Sequence, residues 1–129
     1  MHRFVEHTGE VELEIEASTE KGIFAEAVSA FGELVRGGRG DAARHEIEVL
    51  AGDRALLLAE LVNELVFLAE VERFVPERVG VLELSDGRLR ATLEGVRSRP
   101  SHLVKAATLN RVKLERTDDG WHARLVLDV

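Results

Sequence analysis

The chain has 129 residues, a net charge of −7 from 17 basic and 24 acidic side chains, and no cysteine. That length suits one domain with a genuine core rather than two, and the missing cysteines exclude disulfides, thiolate metal sites and cysteine nucleophiles, in keeping with a reducing compartment. The acidic balance runs against nucleic-acid binding by phosphate neutralisation: Arg97 and Arg99 are too few for a basic stripe, and a cation or a basic protein surface is the expected partner.

The N-terminal stretch MHRFVEHTGEVELEI has no continuous apolar run and does not read as a secretory signal. Glu10 to Ala17 alternates with period two, Val11, Leu13 and Ile15 against Glu10, Glu12, Glu14 and Glu16, which predicts a half-buried strand. Ser18 or Thr19 then caps a helix whose stripe is Ile23, Phe24, Ala27, Val28, Phe31, Leu34 and Val35, ended by Gly37 and Gly38. GGRGD reads as a flexible turn, His45 to Leu50 as a second strand with Ile47 and Val49 on one face, and Gly52 as its break.

Asp53 is the expected N-cap of a second helix running to about Glu72. This helix is apolar around most of its circumference, so it should be the central buried one. Its greasy run, Ala55 to Ala69, is interrupted by Glu60, Asn63 and Glu64 and is too short for a bilayer, so no membrane association is expected and the cytoplasm is the default location. Pro76 follows. Val79 to Leu84 and Arg88 to Val96 flank Ser85-Asp86-Gly87, a hairpin signal. Arg97 to His102 reads as an exposed loop. Leu103 to Arg116 and Trp121 to Val129 form a second hairpin about Asp118-Asp119-Gly120, with Trp121, Ala123, Leu125 and Leu127 on one face of the last strand. The expected architecture over residues 1–129 is a single α+β domain, two helices packed on a largely antiparallel sheet.

Motifs for independent chemistry are missing. The five histidines have no zinc-ligand spacing. GGRG lacks both the P-loop lysine and the Rossmann glycine spacing, and no serine lies in a GxSxG context. One tryptophan and no tyrosine provide no platform for stacking bases. A hydrolase built on paired carboxylates lacks an accompanying nucleophile or substrate-binding motif.

Three patches in order point further: HTGEV from His7, LLLAELVNELVFL from Leu56 to Leu68, and KAATLNRVKLERTDDGWHARLVLDV at the C-terminus. Together they resemble the archease family, whose members carry an HTADI-like opening, a LLxxWLNELLFL-like helix and a KAVTYHxL…GWxARVIFDV-like ending. The resemblance covers nearly the whole chain. It implies a compact α+β fold and a non-catalytic protein cofactor of the GTP-dependent RNA ligase that joins RNA ends, as in tRNA splicing, promoting guanylylation and repeated turnover of that ligase. It also implies an acidic metal site, whose aspartates map onto Glu10 and Asp128.

Oxygen-only ligation suits a hard divalent cation, calcium first and magnesium or manganese next, and the terminal carboxylate of Val129 lies one residue from Asp128. By the same resemblance His7, Lys105, Asn63 and Glu64 are partner-binding or site-supporting. Lys105 is placed to contact the ligase or a phosphate; Asn63 and Glu64, on a buried helix, are placed to satisfy backbone groups or orient the acids. Departures are plain: Glu10 stands where the family has aspartate, Leu109-Asn110 where it has Tyr-His, and Glu60 or a neighbour where it has tryptophan. They leave open a second expectation, a metal-independent interaction or chaperone-like domain on the same fold. Strong direct nucleic-acid binding is not expected.

Overall fold

The alternation around Leu13 places that side chain and Ile15 at full burial, and the strand they belong to, β2 (Glu10–Ala17), anchors the structure. The computed structural model describes residues 1–102 and 104–129. A strand that the alternation does not signal precedes β2: β1 (His2–His7) pairs with it antiparallel, His7 opposite Glu10, through a turn at Gly9 with φ 74°. Phe4 and Val5 lie on opposite faces of β1, so no period-two stripe marks it, and the backbone ladder to β2 holds it.

Helix α1 (Glu20–Val35) starts at Thr19, whose hydroxyl accepts the Gly22 N–H at 3.0 Å. Strand β3 (Asp41–Leu50) begins four residues earlier than the expected His45, because Asp41 to Arg44 continue the ladder to β5 (Arg88–Arg97) although they carry little apolar signal. Helix α2 (Arg54–Val71) is capped by Asp53, which accepts from Leu56 N at 2.8 Å. Its Leu57, Leu58, Leu61, Val62 and Leu65 are all at most 1% exposed, consistent with a helix enclosed on several sides.

Strands β4 (Phe74–Ser85) and β5 (Arg88–Arg97) form the first expected hairpin. β4 also takes in Pro76: ladder irregularities after Pro76 and Val79, on a strand at the sheet edge, accommodate a residue with no N–H to donate. The second hairpin departs most from expectation. The start of its first arm at Leu103 lies outside the described residues. The rest of that arm is broken into β6 (Ala106–Ala107), a 3₁₀ turn (Leu109–Arg111) and β7 (Lys113–Thr117), all beside β8 (Gly120–Asp128). Ala123, Leu125 and Leu127 of β8 face the core as the alternation requires.

The strands make two antiparallel sheets rather than one. The first has the order β1-β2-β8-β6, with β7 also on β8, and the second is β3-β5-β4. Helix α1 touches β2 and β8 of the first sheet and β4 of the second; α2 touches β6 and β7 of the first and β3 and β4 of the second. One continuous core joins both sheets to both helices. No helix among the described residues is long and apolar enough to cross a membrane. Among the described residues β3 ends its sheet with one flank unpaired, and Arg44, Glu46 and Glu48 stand on it at alternate positions.

Candidate functional site

Because β2 and β8 run antiparallel in direct register, the first residue of one and the last of the other become neighbours: Glu10 stands opposite Asp128. Residues in that relation have Cβ atoms about 5 Å apart, and like charges so placed repel unless a cation intervenes. The strand ends are stitched around the pair. The Lys105 N–H donates to the Asp128 carbonyl at 2.8 Å, and the Val129 N–H donates to the Gly9 carbonyl at 3.2 Å. Ala106 continues the row beside Asp128.

The outer face of this sheet carries all four glutamates of β2, each opposite a β8 residue: Asp128, Val126, Arg124 and His122 in turn. Three have a cationic partner. Arg111 Nη1 donates to Glu10 Oε2 at 2.9 Å, Arg124 Nε donates to Glu12, and Arg3 Nε donates to Glu14 at 2.9 Å. Glu12, buried at 9% exposure, is the central one. The hydrogen bond from Arg124 holds its carboxyl below the usual carboxylate range against the opposing effect of burial, with help from His7, whose Nε2 lies 3.7 Å from Glu12 Oε2. A carboxyl depressed in this way adds stability above its unfolded value of about 4.3 and loses it as pH falls through the folded value. Arg124→Gln is therefore expected to be less stable than the parent at pH 6, with the gap closing as pH falls below about 4; urea unfolding at both pH values reads this.

The site-supporting residues fall in different places. Asn63 Oδ1 on α2 accepts the Ala107 N–H at 2.8 Å, and its amide donates to Glu60 at 3.3 Å, so it ties the buried helix to β6, next to the Asp128 row. Glu64 is half-buried and joins no ion pair among the described residues. Lys105 and His7 are exposed, His7 directly opposite Glu10 on β1. The Val129 carboxylate joins no ion pair among the described residues.

Hard oxygen donors on opposed residues suit a cation that keeps much of its water, as magnesium does with one or two carboxylates. Calcium, with six to eight oxygen ligands, would likewise complete its shell with water. Among the described residues no cluster of three or more acidic, histidine or cysteine groups is poised to chelate an ion. Arg111 was not anticipated from the sequence. The signal was local, since Arg111 directly follows the departing Leu109-Asn110 pair, and the 3₁₀ turn they form brings its guanidinium to Glu10.

The fold and site define a small α+β domain with two helices enclosed by antiparallel sheets and a carboxylate pair where the first and last core strands meet. The profile of the Archease protein family matches residues 2–129, and the chain belongs to that family. "Protein archease" of Methanosarcina acetivorans is 29% identical over 99% of this chain and 95% of its own length. That of Archaeoglobus fulgidus is 30% identical over 99% and 98%. The crystal structure of an "archease, possible chaperone" from Thermotoga maritima superposes with TM-score 0.70 at 22% identity, covering 100% of this chain and 98% of that one, so the fold is shared. A solution structure from Methanobacterium thermoautotrophicum gives TM-score 0.70 at 21% identity, over 99% and 98%.

Proposed function

We propose that this protein is a non-enzymatic activator of a GTP-dependent RNA ligase, promoting ligase guanylylation and repeated turnover, and that the Glu10–Asp128 pair takes a divalent cation during that work. The observation that carries the reading is the direct opposition of Glu10 and Asp128, the two positions the family pattern makes acidic. The backbone bond from Lys105 to Asp128, with the Lys105 side chain exposed, supports a role for its ammonium in contact with the ligase. The cation, when bound, supplies positive charge at the pair; the chain's own part is to fix two carboxylates on a rigid ladder and to present them at a strand end. A guanylylation assay with the cognate ligase tests this, and unchanged ligase turnover in the presence of the protein would refute it.

Arg111 favours a second reading, a metal-independent interaction domain, because a guanidinium already sits on Glu10. The two readings separate on Arg111→Gln. An exposed pair of this kind is worth up to about 1 kcal/mol, so freeing Glu10 should tighten calcium, magnesium or manganese binding by about two- to fivefold in a calorimetric titration. No binding in either form favours the metal-independent reading.

A further inference from the structure

The net charge of −7 conceals a segregation. Three segments distant in sequence meet at one place: residues 36–41, from the end of α1 into β3, residues 72–77, from the end of α2 into β4, and residues 97–102, from the end of β5. Asp41, Arg97 and Phe74 form one row across β3, β5 and β4. The Ser98 N–H donates to the Arg73 carbonyl at 2.7 Å, Ser98 Oγ donates to the Gly38 carbonyl at 3.0 Å, and the Ser101 N–H donates to the Val35 carbonyl at 2.9 Å. A Cβ at Gly37 or Gly40 would collide with the carbonyl of Arg99 or Arg97, so the glycine loop lies flush on the arginine segment.

Arg36, Arg39, Arg73, Arg97 and Arg99 are all exposed there, and among the described residues none of them enters an ion pair. Eight other arginines do, including Arg44, Arg54, Arg78, Arg88, Arg90 and Arg111. The three segments hold five cations against Asp41, Glu72 and Glu77, a net of +2, which leaves −9 on the rest of the chain. Arg73 is, among the described residues, the one non-glycine with positive φ, 55°, a conformation that side chains other than glycine adopt at a cost. Its carbonyl is held by Ser98, so this strained turn is fastened to the segment that bears Arg97 and Arg99.

We propose that this arginine-bearing end is a contact surface for the phosphate backbone of RNA. The inference rests on the activator reading, which places an RNA-joining enzyme beside this protein. Guanidinium forks match phosphate oxygens in pairs, and five unneutralised ones in one place are what backbone contact requires. Phe74 is fully buried and His102 is the one exposed ring among the described residues of these segments, so contact runs mainly through phosphates and carries little sequence preference. The rest of the surface repels RNA, but screening over about 8 Å at physiological ionic strength confines that repulsion. Binding is accordingly weak and salt-labile. The connector that follows Arg97 and carries Arg99 ends at Lys105 on Asp128; the seven Cα steps from Ser98 to Lys105 span at most about 25 Å. An RNA strand held at the arginines therefore lies within one short segment's reach of the acidic pair.

The test is fluorescence anisotropy of a labelled single-stranded RNA with the full chain, titrated between about 50 and 200 mM salt. Each phosphate neutralised contributes about −0.7 to the slope of log affinity against log salt, so three to five contacts give about −2 to −3.5. Arg97→Gln with Arg99→Gln, and separately Arg36→Gln with Arg39→Gln, should each reduce that slope by about 1.4, whereas Arg88→Gln with Arg90→Gln should leave it unchanged. A parent protein without salt-dependent binding, or arginine variants that bind like the parent while melting at the same temperature, overturns the proposal. So does poly-glutamate that competes as well as RNA at equal charge, which would mark a surface for acidic protein. Guanylylation of the ligase without RNA separates the two readings: variants that lose RNA but still stimulate guanylylation uphold both, and a parent that binds RNA without stimulating the ligase defeats the activator reading alone.

Discussion

Asp128→Ala is expected to lower stimulation of ligase guanylylation by at least about tenfold, measured as nucleotide transferred in a single turnover. Removing even an outer partner of a metal site typically costs 10–100-fold, and on the proposed reading Asp128 would supply one of the two side-chain carboxylates. The fold should survive the change. Asp128 holds its place through backbone contacts, its carbonyl accepting from Lys105 and its ladder position shared with Glu10 and Ala106, and none of these needs the carboxylate. Substitution also relieves the repulsion between two opposed acids, so thermal stability should stay level or rise slightly. Stimulation equal to the parent's would remove Asp128 from the site.

The largest stability effect is expected at Gly32, inside α1. A Cβ there would fall on the carbonyl oxygen of Pro76, so the helix and β4 meet backbone against backbone. Overpacking costs typically about 1–3 kcal/mol, and the obstacle here is main chain rather than a side chain free to swing aside, which puts Gly32→Ala at about 3 kcal/mol or more. Gly38→Ala makes the control, since nothing lies within 4 Å of its added Cβ. Urea midpoints for the two variants should differ clearly, and equal midpoints would show that α1 slides to make room.

The elements legible in the sequence were those with a strong period. α2 announced itself through continuous apolar residues and Asp53, and β8 through Ala123, Leu125 and Leu127. What stayed hidden was held by backbone pairing instead of burial. β1 has two apolar residues on opposite faces, and the first half of β3 is nearly all small or polar. The break at Leu109–Arg111 replaced a strand with a turn, and no alternation of apolar residues reports such a turn. At the site, the acids at positions 10 and 128 came from family resemblance, and their meeting required the β2–β8 register, a long-range fact no local pattern contains. The arginine end was invisible for the same reason. Arg36, Arg73 and Arg97 are far apart along the chain, and summing charge over 129 residues averages them away.

The unpaired flank of β3 bears on how this protein behaves in a crowded solution. Ten residues of open ladder offer any extended chain a row of donors and acceptors to zip onto, and fibrillar association begins at such margins. Arg44, Glu46 and Glu48 make that docking unfavourable, because an incoming strand would have to strip water from three charges within five residues. Those charges thus turn an open strand margin into one that disfavours strand-to-strand growth between copies of the protein.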